Sequence, residues 1–180
     1  MSEKVFVTGA GIISALGNGT DATLKALLSG HSGIGHIRHL ATEHREFPVG
    51  EVKLSDAEMS RMLDAHYPVD GLRTVLLGII AAREAVASAA LSEADMQRTA
   101  FISGTTVGGM DKTERHFKNV FDSNTATEDS LEMKYNDCGY STELIADGTG
   151  RFGMVTTTST ACSSAANAII LGAGLIKSGI

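Results

Sequence analysis

The sequence contains no tryptophan, only two prolines and two cysteines in 180 residues, and 5% aromatic residues. Two cysteines far apart, Cys138 and Cys162, exclude a disulfide framework and fit a reducing compartment, so a cytoplasmic location is expected. With so little proline there is no rigid Pro-rich linker, and no low-complexity tract interrupts the chain. Basic residues are outnumbered, 15 Lys and Arg against 21 Asp and Glu, for a formal charge of −6, and they form no cluster. That balance argues against nucleic acid as a partner and leaves any docking patch for an acidic partner to be local. No apolar run reaches the roughly 18 residues of a membrane span, and Met1-Ser-Glu-Lys4 leads into an apolar segment without a signal-peptide core.

What the chain has is glycine, 20 residues of it, and a hydrophobic fraction of 43%, enough for the core of one α/β domain with tight turns. Hydrophobic periodicity predicts a buried strand at 4–8 ended by Gly9 and Gly11. A helix follows over 21–28, with Thr20 or Asp21 as N-cap and Gly30 as stop. From Gly30 to about Met59 the sequence is polar and reads as irregular. Leu72, Val75, Leu76, Ile79, Ile80, Arg83 and Val86 outline a largely buried helix to about Ala90. Strands at 100–103 and 154–159, a helix over 112–121 and a long helix over 163–177 complete the order. Ala165, Ala166, Ile169, Ile170, Ala173 and Ile176 are the expected packed face of the last helix. Alternating strands and helices imply a mainly parallel sheet with right-handed crossovers.

The most informative segment is Val155-Thr-Thr-Thr-Ser-Thr-Ala-Cys-Ser-Ser-Ala165, a β-branched strand that ends on a thiol where a small-residue helix begins. A thiol at a helix N-terminus faces unpaired N–H groups and the positive end of the helix dipole, which favour the thiolate. The same N–H groups can hold an oxyanion. The alternative for Cys162 is a structural thiol packed at a strand end. Cys138, between Asp137 and Gly139, shows no comparable setting and reads as inert. Gly9-Ala-Gly11-Ile-Ile-Ser14 imitates a dinucleotide fingerprint but lacks its third glycine and the acidic residue about 20 positions on, so the glycines read as a sharp turn beside the nucleophile segment. His36, His39 and His44 could gather round zinc, but interleaved Arg38 and Arg45 fit a solvated loop better. No metal or bound cofactor is assigned.

Thr160-Ala161-Cys162-Ser163-Ser164 resembles the nucleophile motif of the β-ketoacyl synthases, the condensing enzymes of fatty-acid and polyketide assembly. Other landmarks of that family recur in order. Val5-Phe-Val-Thr-Gly-Ala-Gly-Ile-Ile-Ser-Ala-Leu-Gly17 resembles its opening strand and turn, and Leu27-Leu-Ser-Gly-His-Ser-Gly-Ile34 its next helix end. Ala81-Ala-Arg-Glu-Ala85 falls in its long helix and Gly104-Thr-Thr-Val-Gly-Gly109 in its glycine turn. Gly153-Met154 stands where the family often has Gly-Pro, and Tyr135-Asn-Asp-Cys-Gly-Tyr140 matches no landmark.

The resemblance implies a thiolase-like α/β/α layered fold, with residues 1–180 as the N-terminal synthase domain and the C-terminal half of the fold absent from this sequence. It implies Cys162 as nucleophile and, through its backbone N–H, as oxyanion donor. The residue matching Val107 lies near the acyl pocket in the family. Substrates would arrive as phosphopantetheine thioesters on an acyl carrier protein, and the assembly would be a homodimer or a heterodimer with a related subunit. In this family both catalytic histidines follow the nucleophile. All six histidines here precede Cys162, so none is given that role, and the 180-residue chain by itself is expected neither to fold stably nor to condense. The rival reading is a non-catalytic chain-length-factor-like partner, a class that usually lacks the cysteine; a thiolase is disfavoured by the motifs around Cys162 and at the N-terminus.

Overall fold

The computed structural model describes residues 4–63, 72–114 and 133–180. The chain divides into two units, Val7–Ala90 and Leu91–Ile180 together with Met1–Phe6. In the first unit a two-residue antiparallel ladder pairs β1 (Ile13–Ser14) with β2 (Gly17–Asn18), followed by α1 (Thr20–Leu28), α2 (Asp56–Met62) and α3 (Arg73–Ser88). The core lies between α2 and α3, where Met59, Leu63, Leu72, Val75, Leu76 and Ile79 are buried, each such side chain contributing about 1.5–3 kcal/mol.

The segment Gly9–Thr20 is held on α3 by close packing and by one carboxylate. A Cβ on Gly9 would come within 2.6 Å of the Ala85 carbonyl oxygen, and one on Gly11 would run into the Ala81 carbonyl and lie 2.7 Å from the Ala85 nitrogen. Only glycine permits that approach. The two glycines therefore serve close contact with α3, a role that the sequence alone did not indicate. Glu84 on α3 accepts from the Ile12 N–H at 2.9 Å, the Thr20 N–H at 2.7 Å and the Thr20 hydroxyl at 2.9 Å. Thr20 is consequently the first helical residue of α1, and the N-cap is Gly19 rather than Thr20 or Asp21.

The N–H groups of Thr20 and Ile12 hold the Glu84 carboxyl below its ordinary value of 4.5. A carboxyl whose folded value is depressed contributes stability above the unfolded value, and that contribution is lost as pH falls through the folded value. Glu84→Ala is expected to cost about 2 kcal/mol at neutral pH. In urea titrations the gap to wild type should narrow as the pH drops below 4.5; a gap constant down to acid unfolding would contradict this account.

The missed helix α2 begins within the region read as irregular and runs past its end. Ser55 and Glu58 form a reciprocal capping box at its start, a Ser-x-x-Glu signature visible in the sequence. Before it, Gly35 and Val49 pair across a neck. Slight burial works to raise the Glu51 carboxyl, but N–H donation from Arg38, Leu40 and His39 outweighs it and holds the group below the usual range. His39 meets the Lys53 carbonyl through Nε2, while His44 meets Glu46, and among the described residues no three potential metal ligands converge.

The second unit begins with α4 (Glu93–Met96), a short helix capped reciprocally by Ser92 and Asp95. Strand β3 (Ala100–Gly104) then pairs in parallel with β4 (Met154–Thr158), in the register Ala100↔Met154 to Gly104↔Thr158. Between them lie a 3₁₀ turn (Met133–Asn136) and α5 (Cys138–Thr149), and after them α6 (Ser164–Lys177). Successive strand residues face opposite sides. Thr157 reaches Thr142 of α5 at 2.8 Å, and Thr158 reaches the Ser164 carbonyl of α6 at 2.8 Å, so the two helices cover opposite faces of the strand pair.

Three expectations change. Residues 4–8 form no strand: among the described residues they have no ladder partner, and Phe6 and Val7 are 73% and 90% exposed. The helix predicted over 112–121 begins at Met110, and its stretch beyond residue 114 lies outside the described residues, as do His66 and His116. On α6 most of the expected face is exposed, Ala165, Ala166, Ile169, Ile170 and Ile176 among it, while Ala173 is half-buried as expected; Ser164 is buried, and Ala168, Gly172 and Leu175 are half-buried. Ile102 of β3 lies on the Gly172 side of the helix, where an added Cβ would meet its Cδ1 at an ordinary 3.6 Å. Among the described residues no helix is long and apolar enough to cross a membrane.

Candidate active site

The carboxyl end of β4 runs into a tight turn, Ser159–Ser163, and then into α6. Ala161 adopts φ 52°, a left-handed conformation that costs a non-glycine residue roughly 1 kcal/mol and persists only when its neighbours enforce it. Its neighbours do so. The Ser164 hydroxyl accepts from the Thr160 N–H at 2.9 Å and donates to the Ala161 carbonyl at 2.7 Å, while the Ser163 and Ser164 N–H groups donate to the Thr160 and Ala161 carbonyls. On the outer side, Ser163 Oγ donates to the Thr160 carbonyl at 2.7 Å, and Asn167 Nδ2 donates to Thr160 Oγ1 at 2.8 Å.

None of these bonds uses the N–H or the thiol of Cys162. The residue sits at the apex of the turn, immediately before the N-cap Ser163, and it is exposed. The geometry thus presents a thiol beside the start of a 14-residue helix, with its own N–H left out of the network that fixes the turn. That arrangement can offer the Cys162 N–H to an oxyanion on an attacked carbonyl. Beneath the turn, a Cβ on Gly104 would lie 2.7 Å from the Ala165 Cα, so β3 ends directly against the first residues of α6.

Cys138 has a setting that the sequence reading denied it. It is the first residue of α5, and Asp137 caps that helix by accepting from the Gly139 N–H at 2.8 Å. It also lines a cleft of about 410 Å³ on the α5 side of β4, together with Asp137, Glu143, Thr142, Val155 and Thr157 among others. Two carboxylates on the wall make this cleft poorly suited to an alkyl chain. Neither Cys162 nor Val107 is part of the wall. Val107 is in the turn after β3, 54% exposed, and its neighbour Gly108 packs against Cys138. The clamping residues Thr160, Ser164 and Asn167 escaped the sequence reading; the cluster of hydroxyl residues around Cys162 and the Ser163/Asn167 spacing of four were the signals that could have found them.

Over residues 2–180 the sequence matches the family profile described as Beta-ketoacyl synthase, N-terminal domain. Nodulation protein E of Rhizobium meliloti (strain 1021) is 31% identical over 99% of this chain and 44% of its own length. The chloroplastic 3-oxoacyl-[acyl-carrier-protein] synthase I of Arabidopsis thaliana is 26% identical over 98% of this chain and 38% of its own. The chain thus spans about two fifths of the length of these curated relatives. Among solved structures, the ishigamide ketosynthase/chain length factor superposes with a TM-score of 0.77 and 28% identity over 96% of this chain and 44% of that one. A β-ketoacyl synthase from Burkholderia phymatum STM815 gives a TM-score of 0.69 at 20% identity, over 96% of this chain and 43% of that one, a likeness of fold alone. By that match, and with an exposed cysteine on the turn between a parallel strand and a helix, the chain belongs to the β-ketoacyl synthase family and has that family's thiolase-like α/β fold.

Proposed function

We propose that residues 1–180 act as the N-terminal domain of a longer β-ketoacyl synthase in which Cys162 is the nucleophile. The observation that carries this reading is the exposed thiol on a turn whose hydrogen bonds leave the Cys162 N–H out. The thiolate attacks the carbonyl of an acyl-phosphopantetheine thioester, the Cys162 N–H supports the oxyanion, and the phosphopantetheine thiolate leaves and takes up a proton. A malonyl thioester then loses carbon dioxide, and the resulting enolate attacks the acyl-cysteine. The product is a β-ketoacyl thioester two carbons longer, and the Cys162 thiolate is regenerated. The decarboxylating step needs electrostatic support for the enolate, and no histidine of this chain is assigned to it.

The acyl carrier protein is the proposed donor, in keeping with relatives named as acyl-carrier-protein synthases. Val107, in the turn beside Cys138, is proposed to border the acyl pocket. Strand β4 pairs on one side only among the described residues, and its uncharged Met154–Thr158 stretch suits pairing with a second copy or a related subunit. A non-catalytic chain-length role is the second reading, favoured by the similarity to a ketosynthase/chain length factor structure; the presence of Cys162 places it second.

Incubation with an acyl-loaded carrier protein, followed by peptide mass spectrometry, tests the proposal. The acyl mass is expected on the peptide containing Cys162. Acylation of Cys138 instead, or of neither cysteine in folded protein, would overturn it.

A further inference from the structure

We infer that Ser164 is a positioning residue for the Cys162 thiol, its hydroxyl stapling the turn from beneath while Asn167 braces it from outside. This rests on the nucleophile role of Cys162 proposed above. Ser164 is only 4% exposed, yet its side chain makes one accepted and one donated bond, both to the two residues that precede Cys162. An N-terminal helix serine commonly turns its hydroxyl back to a free carbonyl or N–H of its own helix. Here the hydroxyl closes a ring with the Thr160 N–H and the Ala161 carbonyl, which flank the left-handed bend at Ala161, φ 52°.

The staple is itself fixed. Thr158 Oγ1 donates to the Ser164 carbonyl at 2.8 Å and to the Ser103 carbonyl at 3.3 Å, tying the helix start to both strands. The outer brace runs from Asn167 Nδ2 to Thr160 Oγ1 at 2.8 Å, with a longer bond to Ser163 Oγ at 3.4 Å. Ser164 touches neither the thiol nor its N–H. Its effect is conveyed through Ala161: without the hydroxyl the Thr160 N–H loses its bond and the Ala161 carbonyl keeps only the Ser164 N–H, which loosens the left-handed residue and lets Cys162 rotate away from the helix start.

The two cysteines make an internal comparison possible in the full chain. Alkylation by iodoacetamide is followed at both sites by mass spectrometry, and the Cys162 rate is read relative to the Cys138 rate. Ser164→Ala is expected to slow Cys162 about tenfold with Cys138 unchanged. Ser164→Thr, which restores the hydroxyl, should return Cys162 to within about twofold of wild type, and Asn167→Ala should slow it about threefold. A wild-type ratio for Ser164→Ala, or equal changes at both cysteines, overturns the positioning role. If Ser164→Ala does not fold, Asn167→Ala decides, and an unchanged ratio there overturns the inference. A wild-type protein that labels Cys162 no faster than Cys138 strikes at the nucleophile reading and takes this inference with it.

Discussion

Gly11→Ala is expected to destabilise the protein by about 3 kcal/mol or more, a large share of the 5–15 kcal/mol margin of a typical domain. The new methyl group would occupy the position of the Ala81 carbonyl and crowd the Ala85 nitrogen, both backbone atoms of α3 that cannot move as a side chain can. Relief requires the Gly9–Thr20 segment to lift from α3, which also stretches the three bonds to Glu84. Gly174→Ala is the matching control. It lies in α6 with nothing within 4 Å of its Cβ position, so alanine there should raise stability by about 0.5–1 kcal/mol through helix propensity. Chemical denaturation of the two variants should move in opposite directions. Equal stabilities would mean that the close approach of Gly11 to α3 does not exist in solution.

The second large effect is chemical. In the assembled synthase, Cys162→Ala is expected to reduce acyl transfer by on the order of 10⁴-fold or more, because no neighbouring group in the turn can form the thioester. Folding should be nearly unaffected, since the side chain is exposed and enters none of the bonds that fix the turn. A thermal midpoint close to wild type together with lost acylation separates a nucleophile from a structural thiol. Retained turnover would refute the assignment, and with it the preference for a catalytic over a chain-length role.

The strand-to-helix turn that carries Cys162 was legible because its signals are local: a β-branched strand, a lone thiol and a run of small residues. Helix α3 was legible for a similar reason, its apolar residues recurring at one period. Helix α5 was not. Its sequence, Cys-Gly-Tyr-Ser-Thr-Glu-Leu-Ile-Ala-Asp-Gly-Thr, carries two glycines and four hydroxyl residues besides, and its tie to β4 through the bond between Thr142 and Thr157 is tertiary. On α6 the apolar residues run almost all round the helix, so periodicity could not fix which side packs. Residues 4–8 illustrate the limit of composition, since a strand exists only where a partner does. The hydroxyl clamps around Cys162 depend on where a single turn brings atoms together, and spacing alone gives no more than a hint of that.

The bonds from Ile12 and Thr20 to Glu84 span 72 and 64 residues of sequence. During synthesis the chain therefore makes its glycine segment long before the carboxylate that will receive it. At 5–20 residues per second that interval lasts several seconds, far longer than a helix needs to form. Throughout that time the N–H groups of Ile12 and Thr20 have only water as partner, and the entropy of closing so long a loop must be met before either bond forms. The docking of Gly9–Thr20 onto α3 is thus a late event in the maturation of this unit, and a ribosome that pauses after residue 84 has emerged would help it more than one that pauses before.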